Sequence, residues 1–357
     1  MNKPLRTAKI SGREIGRAQP PYVVSEMSGN HNGDIQRAFR ILDASKAAGV
    51  DAVKIQTYRA DTITIDHSAP EFIVTGGLWH GRRLFELYEE AHTPWEWHKP
   101  IFSYARDIGV TLFSSPFDRT AVDLLESLNA PAYKIASPEL VDLPLIRYVS
   151  QTGKPVILST GMATSEEIGE AVETAQSAGV EDLIVLHCTS AYPAPPEEAN
   201  LATIQEIANR FDVVAGLSDH TMGTSIAALA VVMGADLIEK HVTLSRAEGG
   251  VDSAFSLEPH ELAELVAGVR TARLAIGSPA FEPTISEASV LRNRRSLYVV
   301  EPMVKGDYFS EANLRSIRPG NGMKPKHYEQ VLGRRASVNL KFGQPLDPSL
   351  IEGGFPE

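Results

Sequence analysis

The sequence predicts a (β/α)8 TIM barrel followed by a small, mostly β C-terminal domain. Between Tyr22 and about Ile276, short β-branched or apolar runs alternate with polar clusters and then amphipathic stretches rich in Ala, Leu and Glu. That alternation is the signature of βα units with parallel strands. Eight such runs occur, the number a closed barrel takes, and no G-x-G-x-x-G fingerprint follows the first to argue for an open dinucleotide-binding sheet. Beyond the last repeat the alternation stops in a stretch of prolines and serines.

In chain order the strands are expected at 22–27 (YVVSEM), 52–57 (AVKIQT), 110–115 (VTLFSS), 132–137 (AYKIAS), 155–160 (PVILST), 183–188 (LIVLHC), 213–218 (VVAGLS) and 236–241 (DLIEKH). The interval from Arg59 to Thr93, between the second and third strands, is long for a compact barrel. Loops of that length act as lids or substrate loops, or are helical insertions that pack their own aromatics. Residues 277–289 (GSPAFEPTISEAS) lack periodicity and read as connecting chain. The division expected is a barrel over 1–280, a linker over 281–291 and a small domain over 292–357. In the last, RSLYVV, EANLRSIRPGNG, KHYEQVLG and RRASVNLKFGQPL suggest a module with a modest core.

Hydrophobic residues make up 43% of the chain and charged residues 22%, enough to build a core and too balanced for disorder. The early positive charge is not followed by an apolar run, and no stretch approaches the ~18 apolar residues of a membrane span, so a cytoplasmic, membrane-free protein is expected. The single cysteine, Cys188, cannot form an internal disulfide and sits in an apolar run, as a buried strand thiol would. A net charge of −11 argues against a nucleic-acid surface. The charge is uneven, however: from Arg292 onward eleven Lys and Arg face seven Asp and Glu, so a basic tail follows an acidic body. Such a tail could complement the body or help hold an anionic substrate.

Barrel enzymes carry their chemistry at the C-terminal ends of the strands. Nearly every predicted strand here ends in polar or ionisable residues, among them Glu26, Lys54, Gln56, Ser115, Lys134, Ser137, Glu139, Ser159, Ser190, Tyr192, Ser218, Asp219, His220, Glu239 and His241. One serine at a strand end is ordinarily a helix cap or turn former. Two inward lysines, a ring of hydroxyls and several helix N-termini together make a site for a compact anion with phosphate and carboxylate oxygens, such as phosphoenolpyruvate. His220 and His241 end consecutive strands, which lie only about 4.8 Å apart, so both imidazoles can reach one ion. With Asp219 and Glu239 beside them and no thiolate, they suit a divalent ion, Mn2+ first, with Co2+ or Mg2+ as alternatives and Zn2+ behind these. Such an ion acts as a Lewis acid on an aldehyde oxygen.

The ordered set SEMSGNHNGD, VKIQTY, SSPFD, AYKIASPE, STGMAT, HCTSAYPAP, GLSDHT and EKHVTLSR resembles the sialic acid synthase family across its whole barrel. The segments RSLYVV and NLRSIRPGNG are similar to that family's antifreeze-like (SAF) domain. The stretches GLWHGRRLFELYEEAHTPWEWH and GGVDSAFSLEPHE look most like its pseudaminic acid branch; the N-acetylneuraminate and legionaminate branches share the rest. The resemblance implies condensation of phosphoenolpyruvate with an N-acetylated amino-sugar aldehyde of the 2,4-diacetamido-2,4,6-trideoxy-altrose type. It implies that Lys54, Ser115, Lys134, Ser137, Ser159, Ser190 and Ser218 hold phosphoenolpyruvate and that His220 and His241 hold the metal. Glu139 and Tyr192 would face the sugar, and Glu26, with Asp252 second, would transfer protons. It also implies a domain-swapped homodimer in which Arg318 of the RPGNG loop reaches the other subunit's sugar. Ser115 stands where some relatives carry threonine and Ser190 where some carry asparagine. Two rival readings have different chemistry: a Schiff-base aldolase using Lys54 or Lys134, and an anionic-sugar binding protein with the tail as its recognition module.

Overall fold

The computed structural model describes residues 6–355; the extreme ends of the two expected domains, 1–5 and 356–357, lie outside that range. Two antiparallel strands come first, β1 (Thr7–Ile10) and β2 (Arg13–Gly16), joined through Ser11 and Gly12, both at positive φ. Positive φ at both central residues is the turn whose twist matches a two-residue hairpin, and glycine adopts it without strain. This hairpin is absent from the sequence expectation.

Eight parallel strands then close into a barrel: β3 (Tyr22–Glu26), β4 (Ala52–Thr57), β5 (Thr111–Pro116), β6 (Tyr133–Ile135), β7 (Val156–Ser159), β8 (Leu183–Cys188), β9 (Val214–Asp219) and β10 (Leu237–His241). β10 pairs with β3 to complete the cylinder, His241 lying opposite Glu26. All eight expected strands are present, with ends shifted by a residue or two.

The barrel encloses two apolar layers. Outside, the helices bury their faces against the strands through residues such as Ile41, Leu125, Ile146, Ile204 and Leu265. Inside, Tyr22, Val24, Phe113, Ile157, Leu186 and Leu237 pack with Ala8, Ile10 and Ile15 of the hairpin. The hairpin therefore plugs the N-terminal end of the cylinder, each buried isoleucine contributing roughly 1.5–3 kcal/mol of apolar burial. With that end filled, the opposite rim is where polar side chains can meet a ligand.

The interval between β4 and β5 folds as a short helix (Ala60–Ile63), a 3-10 turn (Pro70–Phe72) and a two-turn helix (Leu84–Ala91) before the long helix Trp95–Ile108. Among the described residues no helix is long and apolar enough to cross a membrane.

A second compact unit begins at Ser278. It holds one antiparallel pair, β11 (Ser296–Val299) and β12 (Leu314–Ile317), and isolated bridges such as Met303–Leu340 and Ala336–Ile351. Its own core gathers Leu297, Val299, Phe309, Leu314, Val331 and Leu346. The expected mostly β character is thus reduced to a short ladder and scattered bridges. Pro and Gly recur every few residues here and interrupt longer pairing.

Candidate active site

A cavity of about 350 Å3 opens at the C-terminal rim of the barrel. Its floor is electrostatic. Lys54 on β4 and Lys134 on β6 point inward and are almost fully buried, as is Glu239 on β10. Glu239 Oε1 accepts from Lys54 Nζ at 2.9 Å, Lys134 Nζ at 3.2 Å and Ser218 Oγ at 3.1 Å. Lys54 Nζ also lies 3.1 Å from Glu26 Oε2 and 3.4 Å from Ser115 Oγ. A buried charge costs several kcal/mol unless paired, so these groups depend on one another.

Their proton affinities follow from that sharing. Burial favours the neutral form of Glu239, but the two ammonium groups outweigh it and hold the carboxyl far below its usual range. Burial likewise opposes the charge on Lys54, yet Glu239 and Glu26 together raise its affinity for the proton. Lys134 has Glu239 alone and the like charge of Lys54 nearby; burial dominates and its pKa is lowered. Glu26 is raised to about 7, foremost by burial, with Lys54 pulling down and Glu239 pushing up. Of the two carboxyls beside Lys54, Glu26 is thus the one whose neutral form the surroundings favour.

A second polar chain runs beside the first. Gln56 Nε2 donates to Glu26 Oε1 at 3.2 Å and to Ser28 Oγ at 3.1 Å. Ser28 in turn donates a short hydrogen bond to Asp252 Oδ2. The amide of Gln56 thereby ties both predicted proton-transfer carboxylates into one network, and burial raises the pKa of Asp252. Ser28 adopts a positive φ of 47°, which is uncommon for a residue with a side chain.

Hydroxyls from three strand ends converge next to the lysines. Ser137 Oγ and Ser190 Oγ are 2.9 Å apart, and Ser159 Oγ is buried without a partner. Their approach depends on Gly161, at φ 50°: a Cβ there would lie 2.3 Å from Ser137 Cβ and 2.7 Å from Ser190 Oγ. The tight loop after β7 thus requires glycine for both its backbone angle and its lack of a side chain.

The imidazoles of His220 and His241 face each other edge to face with centroids 5.4 Å apart, and Tyr192 lies 4.4 Å from His220. The Nδ1 of His220 is 3.0 Å from the Thr189 carbonyl, which can only accept. Its Nδ1 therefore carries a proton, leaving Nε2 as the nitrogen that can serve as a ligand; burial opposes the charge on this ring, but Cys188, the Thr189 carbonyl and Glu239 together raise its pKa. His241 is kept neutral by burial first and then by the charges of His220 and Lys54, and its Nδ1 is buried with no hydrogen-bond partner. Two imidazoles, one with an orphaned nitrogen, fit an ion that takes its remaining positions from oxygen; among the described residues no three such ligands converge.

The carboxylates expected beside them are otherwise engaged. Asp219 faces the outer side of the barrel, pairs with Lys240 Nζ at 2.7 Å and accepts from the amide and hydroxyl of Thr221. Glu239 is taken up by the lysines. The carboxylate nearest the imidazoles is instead Asp252, 3.9 Å from His241 Nδ1.

Of the predicted residues, Lys54, Lys134, Ser137, Ser159, Ser218, Glu139, Tyr192, His220, His241 and Asp252 line the cavity. Glu26, Ser115 and Ser190 stand one layer behind, touching Lys54, Gln56 and Ser137. Arg318 follows β12 in the second unit and is exposed. The central role of Glu239, the bridge through Gln56 and Ser28, and the requirement for Gly161 were not assigned from the sequence. Cys188 is buried and lines the cavity, its Sγ 3.9 Å from His220 Nδ1.

Glu139 lies at the cavity wall with Oε2 buried and unpartnered. Burial raises its pKa from 4.5 to about 7, against a hydrogen bond from its own backbone amide. A carboxyl raised in the folded state contributes stability below about pH 4.5 that is lost as pH rises through 7. Glu139→Gln should therefore gain in melting temperature relative to the parent chain as pH rises from 5 to 8. Parallel melting curves across that range would contradict the assignment.

The NeuB family model matches residues 41–280 and the SAF domain model residues 294–352. The chain is 42% identical over 337 residues to a pseudaminic acid synthase of Helicobacter pylori, covering 94% of this chain and 98% of that one. It is 42% identical over 328 residues to a pseudaminic acid synthase of Campylobacter jejuni, covering 91% and 95%. Among solved structures it is similar to the N-acetylneuraminic acid synthetase of Leptospira borgpetersenii in complex with citrate. That likeness has a TM-score of 0.72 and 30% identity, covering 80% of this chain and 95% of that one.

Proposed function

The chain belongs to the NeuB family, and from that premise we propose that it is a pseudaminic acid synthase. In this reading it joins carbon three of phosphoenolpyruvate to the aldehyde carbon of an open-chain 2,4-diacetamido-2,4,6-trideoxy-altrose and releases phosphate. The observation that carries the reading is the pair of buried lysines held by Glu239 beside a nest of serine hydroxyls, in a cavity also lined by carboxylates and aromatic rings.

Phosphoenolpyruvate carries a phosphate and a carboxylate on adjacent atoms. Lys54 and Lys134 offset that charge in a site shielded from water, where electrostatic interactions are strong. Ser137, Ser159 and Ser218 supply hydroxyl donors around it, Ser190 supports Ser137, and Ser115 steadies Lys54. His220 and His241 would hold a divalent ion, Mn2+ first, which when bound supplies Lewis-acid polarisation of the aldehyde.

As the carbon–carbon bond forms, the aldehyde oxygen gains negative charge and needs a proton. Asp252 lines the cavity and Glu26 lies one layer behind it, joined through Gln56 and Ser28; both are raised in pKa, and in this reading the pair donates that proton and later accepts one from water. Water adds at carbon two, and the resulting tetrahedral centre expels phosphate by cleavage of its C–O bond, leaving the keto group. Glu139 and Tyr192 face the sugar. In a domain-swapped homodimer, Arg318 of a second copy would contribute to the same sugar; the basic tail and acidic body favour that pairing.

Purified protein should release inorganic phosphate from phosphoenolpyruvate only when the diacetamido sugar is present, with no borohydride trapping by pyruvate. Borohydride inactivation at Lys54 or Lys134 would favour imine chemistry instead. His241→Ala should bind Mn2+ at least tenfold more weakly by paramagnetic resonance titration, and its residual turnover should not respond to added Mn2+. Unchanged Mn2+ affinity would remove His241 from the metal site.

A further inference from the structure

The cavity has two chemically distinct kinds of lining. The strand ends contribute Lys54, Lys134, Glu239 and the serines, whereas the insertion between β4 and β5 contributes a wall of Ile63, Val74, Trp79, Leu84, Leu87 and Tyr88. No charged side chain of that insertion lines the cavity. The arginines nearest in sequence are turned to the exterior and paired with acidic neighbours: Arg59 with Asp61, Arg82 with Glu90, and Arg83 with Asp66 and Glu86.

This apolar wall is preformed. Trp79 Nε1 donates to the Val251 carbonyl at 3.0 Å, which uses its one polar atom. Tyr58 packs edge to face against Tyr88 and Phe117, with centroids 5.9 and 5.1 Å away. The helix Leu84–Ala91 sits so close to the loop after β3 that a Cβ on Gly29 would lie 3.2 Å from the Ala91 Cα. An apolar surface held in place this way favours methyl-bearing groups and offers a hydroxyl or phosphate no charged partner, only the phenol of Tyr88.

We infer that Val74, Leu84 and Leu87 determine acceptor specificity. They receive the deoxy terminus and acyl methyl groups of the sugar, and they disfavour acceptors that are hydroxylated or phosphorylated at that terminus. The inference rests on the condensation reading and deepens it. A hydrophobic site rejects an added hydroxyl only modestly, by about tenfold to a hundredfold, and a phosphate far more strongly because no cation of the wall can pair with it.

The test measures kcat/KM by phosphate release with four acceptors: the 2,4-diacetamido-2,4,6-trideoxy sugar, its 6-hydroxy counterpart, N-acetylmannosamine and N-acetylmannosamine 6-phosphate. The parent chain should prefer the deoxy sugar over its hydroxy counterpart by about tenfold to a hundredfold, with the 6-phosphate the poorest acceptor. Val74→Thr and Leu84→Gln should each lower that preference by about threefold to tenfold while the KM for phosphoenolpyruvate stays unchanged. An unmoved preference in both variants, or equal use of the 6-phosphate by the parent chain, overturns the inference while leaving the condensation reading intact. Absence of phosphate release with every acceptor overturns both.

Discussion

Glu239 is the group on which the rest of the site depends. Its carboxylate reaches two ammonium groups and a serine hydroxyl inside a cylinder of strands, where none of them could remain charged alone. Lys54 and Lys134 come from β4 and β6, and only a third strand bearing an acid can hold both in place. Closure of the barrel through β10 brings that acid to them, while the pairing of β3 with β4 sets Glu26 beside Lys54. The hairpin plug at the opposite end fills the interior with apolar side chains, so the polar cluster is confined to one rim.

The same construction explains why the carboxyls behave differently. Glu239, between two cations, stays ionised, whereas Glu26 shares one of those cations and is buried more than it is paired. Two carboxyl groups that both pair with Lys54 are therefore shifted in opposite directions, Glu239 down and Glu26 up. In the proposed reaction an anionic substrate would meet positive charge already in place.

Much of this was legible in the sequence because strand side chains alternate. Lys54 and Gln56 share a face, as do Ser218 and His220, and Glu239 and His241. The same parity places Asp219 and Lys240 on the outer face, where they pair, away from the histidines. The N-terminal hairpin was also readable, since Ser-Gly joins two short alternating runs. The Glu239 network was not, because cross-strand register decides which lysines one carboxylate can touch. Nor was the link from Gln56 through Ser28 to Asp252, which joins positions more than 200 residues apart.

The most direct measurement of the central claim is calorimetric binding of phosphoenolpyruvate, without acceptor, to the parent chain and to Lys134→Met. A charge-assisted contact is worth about 1.5–3 kcal/mol, so the variant should bind roughly tenfold to a hundredfold more weakly with its fold intact by circular dichroism. An unchanged Kd in a folded variant would show that the anion does not rest on the paired lysines.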